Sequence, residues 1–131
     1  MADAESLLLD THTVLWYLEN HDALPTRVRE AIDATGKRPI ISVVSWWEIA
    51  IKLSTNKLRL LKSLNQTYET AEVAGFARLS IQFDHLLTVS QLPYHHRDPF
   101  DRLLIAQALT DDLTLVSRDS KFDAYGVRRL W

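Results

Sequence analysis

The sequence predicts an α/β fold, a three-layer α/β/α sandwich around a mostly parallel sheet of four to five strands. Three observations lead there. Short apolar runs without alternation, such as Leu7-Leu8-Leu9, suit strands covered on both faces. These runs alternate along the chain with amphipathic segments of helical period. A length of 131 residues with 47% hydrophobic content suits one domain, 1–131, with a substantial core.

The first strand is read at Ser6–Leu9 and ends in Asp10, after which Val14–Leu18 turns helical. Pro25-Thr26 opens a second helix, with Val28, Ala31 and Ile32 on one face, and Gly36 stops it. Pro39–Val43 is rich in β-branched residues and reads as the second strand. Ser45 is expected to cap the next helix, with Glu48 completing a capping box and the helix running to Ser54. A helix over Leu64–Ala74 ends at Gly75, and Leu79–Ile81 is the third strand. Asp84–Ser90 reads as a short helix capped by Asp84. Asp98–Leu109 is a longer helix leading to a fourth strand, Thr114–Val116, and Val127–Leu130 closes the sheet.

Composition narrows the class. The absence of cysteine excludes disulfides and thiolate zinc sites. No apolar run approaches the roughly 20 residues that span a bilayer. The opening Met1-Ala2-Asp3-Ala4-Glu5 is acidic where a secretory signal would be basic. The expectation is a soluble cytoplasmic protein with no membrane partner. A net charge of −2 does not advertise nucleic-acid binding, although binding depends on local patches rather than totals.

The carboxylates carry the functional signal. Asp10 directly follows strand one, Asp119 lies three residues past Val116, and Glu48 sits about one turn into the helix after strand two. In a parallel sheet these three project at the carboxyl edge, where such folds bind ligands. Asp101 joins them if its helix also starts at that edge. Each acid has a structural alternative. Asp10 could cap a helix, Glu48 could pair with Lys52, Asp98 with Pro99 is a helix start, and Asp119 could serve a turn.

For Asp101 the structural alternative is too small. The helical wheel puts it on a face with Ile105 and Ala108. A charge in an exposed first turn gains only about 0.3–1 kcal/mol from the helix dipole. Burying an unpaired carboxylate costs several kcal/mol. Four acids at one edge need a counter-charge, and oxygen donors favour Mg²⁺ or Mn²⁺ over zinc. A cation so held suits phosphate chemistry.

Four stretches then resemble one family in series. "LLLDTHTVLWYL" carries Asp10 and "SVVSWWEIAIKLSTNKL" carries Glu48. "HHRDPFDRLLIAQAL" carries Asp101 with Asp98 beside it, and "LTLVSRDSKFDAYGV" carries Asp119. Together they resemble PIN-domain ribonucleases, specifically VapC-type toxins of type II toxin–antitoxin systems, over nearly the full chain. The resemblance implies Mg²⁺- or Mn²⁺-dependent endonucleolytic cleavage of RNA, a homodimer, and inhibition by a cognate antitoxin. It implies that Asp10, Glu48, Asp101 and Asp119 form the metal and catalytic set, with Asp98 and Ser117 as lesser candidates.

RNA needs cations around such a centre. Lys52, Arg97, Arg102 and Arg118 are the nearest candidates, followed by Lys57, Arg59, Lys62 and Lys121. His12, His95 and His96 lie near the motifs, but a loop histidine more often serves neither RNA nor metal. Trp46 and Trp47 are adjacent on a helix, so one of them is expected to reach a partner surface. A haloacid-dehalogenase-like phosphatase would need an acid two residues past Asp10, where His12 stands. A receiver domain would need paired acids at strand one and an acid ending strand three. The remaining alternative is a catalytically inactive interaction module on the same fold, binding RNA or a partner protein.

Overall fold

The structure, a computed structural model, describes residues 5–131. The acidic opening residues Met1–Ala4 lie outside the described residues. The chain runs β1 (Glu5–Leu9), α1 (Thr11–Leu18), α2 (Thr26–Asp33), β2 (Lys37–Ser42), α3 (Val43–Ser54), α4 (Leu64–Val73), β3 (Ala77–Leu79), α5 (Phe83–Gln91), α6 (Pro99–Asp111), β4 (Thr114–Val116) and β5 (Arg129–Leu130). A 3₁₀ helix over Ser120–Tyr125 joins β4 to β5.

The five strands form one parallel sheet in the order β3-β2-β1-β4-β5. Side chains alternate between the two faces of the central strand and so divide the core. Leu8 packs with Ile40, Val44, Leu104, Leu115 and Phe122 on one side. Leu7 and Leu9 pack with Val14, Val28, Ile32, Ile41 and Val116 on the other. The result is the expected three-layer α/β/α sandwich. Helix α6 is buried without interruption from Arg102 to Ala108, because it is covered on more than one side. Among the described residues no helix is long and apolar enough to cross a membrane.

Several boundaries move for identifiable reasons. Ser42, not Ser45, caps α3, its hydroxyl accepting the Val44 N–H at 3.1 Å. Ser45 is therefore inside the helix and fully buried, and no capping box forms with Glu48. Gln82 rather than Asp84 is the cap position of α5, its backbone N–H donating to His85 Nδ1 at 2.9 Å. Strand β3 lies two residues earlier than its apolar run suggests, where Ile40 and Ser42 register with Ala77 and Leu79. The 3₁₀ helix has no apolar periodicity to announce it and was not expected.

The chain leaves β1 for β2 and β3 on one side, then returns through α5 and α6 to β4 on the other. The strand order therefore reverses between β1 and β4. The two carboxyl ends are tied there, because the Asp10 N–H donates to the Val116 carbonyl at 3.1 Å. A crevice at such a reversal is where open α/β sheets bind ligands.

Candidate active site

A cavity of about 140 Å³ lies at that reversal, lined by Asp10, Thr11, His12, Glu48, Lys52, Asp98, Asp101, Asp119 and Phe122. It brings together the four acids singled out from the sequence, with Asp98 at its rim. Each comes from a different element, so each position has its own local cause.

Asp10 ends β1 and caps α1, with its Oδ1 accepting the Thr13 N–H at 2.9 Å. The cap fixes one oxygen of a nearly buried carboxylate and turns the group toward the cavity. Glu48 is buried one turn into α3. Its Oε1 accepts the Thr11 hydroxyl at 2.6 Å, and its Oε2 takes the Lys52 ammonium at 2.6 Å. Ser45 Oγ lies 3.1 Å from the Thr11 hydroxyl and backs that contact. Lys52 was a candidate RNA contact, but the structure commits its ammonium to Glu48.

Asp98 caps α6, with Oδ1 accepting the N–H groups of Phe100 at 2.8 Å and Asp101 at 3.0 Å. Pro99 at the first helical position completes the helix start. Asp101 shares a helix face with the buried Ile105 and Ala108 but opens into the cavity, leaving its side chain 23% exposed. Burial, then the charges of Asp98, Asp10, Glu48 and Asp119, push its carboxyl up to about 8. Asp119 follows β4 and caps the 3₁₀ helix, with Oδ1 accepting the Lys121 N–H at 2.9 Å. Ser117 is buried and does not line the cavity. Its hydroxyl accepts the Asp119 N–H at 3.0 Å and so shapes the turn that presents Asp119.

Sequence reasoning discounted His96. Its Nε2 lies 3.1 Å from Asp101 Oδ2 and 3.3 Å from Asp119 Oδ2, making it a direct neighbour of two of the four acids. The only sequence signal was its place two residues before the Asp98 cap.

Arg102 needs correction as an RNA candidate. It is buried, and its guanidinium donates to the carbonyls of Pro93 at 2.9 Å, Leu92 at 3.1 Å and Val89 at 3.3 Å. Tyr94 covers it, with its ring centroid 3.9 Å away. It fastens the 92–96 loop to α6. Arg97 and Arg118 are exposed. Arg118 borders an open cleft of about 460 Å³ that shares Asp10, His12 and Asp119 with the acidic cavity. Of the adjacent tryptophans, Trp46 packs against Tyr68, while Trp47 stays 53% exposed beside Phe100.

The donor set fits a hard divalent cation. Glu48 is matched by Lys52, whereas Asp10, Asp101 and Asp119 have no arginine or lysine partner among the described residues. Burial first, and then that excess of negative charge, raises the Asp101 carboxyl. Oxygen donors in excess of local positive charge suit Mg²⁺ or Mn²⁺.

Residues 7–127 match the family model described as PIN domain. The chain is a PIN domain. Ribonuclease VapC22 of Mycobacterium tuberculosis is 25% identical to this PIN domain over 124 residues, 92% of each chain. Among solved structures, VapBC2 of Rickettsia felis bound to a fragment of its promoter DNA superposes with a TM-score of 0.73. It is 14% identical, and the match covers 96% of this chain and 98% of that one. DNA-bound VapBC of Salmonella typhimurium gives a TM-score of 0.71 at 18% identity, covering 96% and 97%. At these identities the solved structures share the fold of the PIN domain described here.

Proposed function

We propose that residues 1–131 form a single PIN domain that acts as the toxin of a type II toxin–antitoxin system, a Mg²⁺- or Mn²⁺-dependent endoribonuclease. The observation that carries this reading is the convergence of Asp10, Glu48, Asp101 and Asp119 on one cavity at the reversal of strand order. The naming of its relative as a ribonuclease supports RNA as substrate. An RNA substrate supports the cytoplasm as the place of action.

Asp10, Asp101 and Asp119 would hold the cation, with Asp98 beside them. When bound, a hard divalent cation neutralises phosphate charge and lowers the pKa of water beside it. Glu48, held by Thr11 and Lys52, stands at the cavity wall and with Asp119 would orient the attacking water. The open cleft beside Asp10 and Asp119 gives the RNA strand its path, with Arg118 at its edge to meet phosphates and the exposed Arg97, next to Asp98 in the chain, as a second candidate. The outward stripe Val43, Trp47 and Ile51 on α3 is the apolar surface that the homodimer or the cognate antitoxin would cover.

Asp10→Asn preserves an oxygen to cap α1 but removes the charge. It is expected to abolish metal-dependent RNA cleavage while circular dichroism and the melting temperature stay close to wild type. Full cleavage by that variant would overturn the reading.

A further inference from the structure

We propose that His96 is a positioning residue of the acidic site, a locked Nε2–H donor that fixes Asp119 opposite Asp101, and not a metal ligand. The inference rests on the nuclease reading for its purpose. For its geometry it rests on the residues around one imidazole ring.

The Asp98 backbone N–H donates to His96 Nδ1 at 3.2 Å. Because an N–H faces it, Nδ1 must present a lone pair, and in the neutral ring the proton is then on Nε2. Nε2 points at carboxylate oxygens, hydrogen-bonding Asp119 Oδ2 at 3.3 Å with Asp101 Oδ2 at 3.1 Å. The Asp119 oxygen accepts there, which agrees with a proton at that atom. The assignment therefore follows from what each nitrogen faces.

Distance alone would allow another role. His96, Asp101 and Asp119 each offer a ligand atom within 4.8 Å of the others, close enough to share one ion. Ligation through Nε2 needs the lone pair there and the proton on Nδ1. That proton would meet the Asp98 N–H, donor against donor. Asp98 is not free to turn the N–H away, because its side chain caps α6 through two hydrogen bonds. The helix start thus dictates the tautomer of the histidine two residues before it.

The ring is also held in place. The His96 N–H donates to Tyr125 Oη at 2.8 Å, and that hydroxyl donates to the Pro93 carbonyl at 2.7 Å. Phe122 lies against the imidazole with centroids 5.6 Å apart. Arg102 grips the same loop through Pro93. A donor fixed this firmly sets where Asp119 stands before any ion arrives.

Two measurements on the full chain test this. Long-range ¹H–¹⁵N correlation of the metal-free protein at neutral pH is expected to show His96 protonated at Nε2 and bare at Nδ1, with its signals assigned by their loss in His96→Gln. The opposite tautomer overturns the lock. Mn²⁺ titration followed by electron paramagnetic resonance is expected to give about 10-fold weaker binding in His96→Ala. His96→Gln, which keeps an amide N–H near the Nε2 position, should recover most of the loss. Mn²⁺ affinity unchanged in His96→Ala, or ¹⁴N coupling of a directly ligated imidazole in wild type, overturns the positioning role. If wild type binds no Mn²⁺ at all, the nuclease reading fails, while the tautomer in the metal-free chain still decides the lock.

Discussion

The two edges of the sheet treat their carboxylates in opposite ways. At the amino edge, Glu5 pairs with Lys37 and accepts the Thr114 hydroxyl, and Asp112 pairs with Arg128. The Lys37 and Thr114 hydrogen bonds lower the Glu5 carboxyl from its ordinary value. At the carboxyl edge, Asp101 and Asp119 share one histidine, Asp10 has no cationic partner among the described residues, and the lysine lining the cavity is bound to Glu48. There the Asp101 carboxyl is pushed up to about 8. Paired acids hold strands and turns together, while acids in excess of their counter-charge leave a site that a cation would fit. Proximity does not separate the two cases, but charge balance does.

Asp101→Asn tests that contrast most strongly. RNA cleavage should fall to background, and the metal-free protein should become more stable at neutral pH by on the order of a few kcal/mol. The sign follows from proton counting. Between about pH 4 and pH 8 the folded chain keeps a proton on Asp101 that the unfolded chain has released, so this group's contribution to stability falls as pH rises through that window. Denaturant unfolding at several pH values should show the slope in wild type and its loss in Asp101→Asn. Saturating Mg²⁺ should flatten it in wild type as well. A slope unchanged by the substitution would break the comparison.

Arg102→Ala comes next in size. Three part-buried carbonyls lose their donor and a buried side chain is removed, so stability should drop by on the order of 1–3 kcal/mol in urea unfolding. Because the same loop carries His96, Mn²⁺ affinity should weaken too, without any charge being lost from the cavity. Glu5→Gln is the small-effect control at the opposite edge. Cleavage should stay within about twofold of wild type, since rim pairs of this kind contribute little, and only a slight fall in melting temperature is expected. A large loss of cleavage there would mean that the edges are not functionally distinct.

The sandwich was readable because Leu7-Leu8-Leu9 lacks alternation and its neighbours on either face are apolar in turn. The inward placement of Asp101 was readable from its spacing to Ile105 and Ala108. Local sequence could not show that Glu48 is held by Thr11, 37 residues away, rather than by a capping box with Ser45. Two serines three positions apart offered equivalent caps, and the choice of Ser42 came from where β2 ends. Arg102 sits next to Asp101 in sequence yet points into the loop below α5, a direction that only the packed helix fixes. His96 escaped because its importance lies in a backbone N–H, which no residue type records.

The hydrogen bond from the Asp10 N–H to the Val116 carbonyl has one more consequence. It joins the ends of two neighbouring strands of the buried core, where amides tend to open only with the whole domain. Hydrogen exchange at that amide should therefore track global unfolding, long after the chain ends and surface loops have exchanged. A carboxylate anchored there does not drift in and out of register with local breathing. The Asp10 wall of the acidic cavity lasts as long as the sheet does.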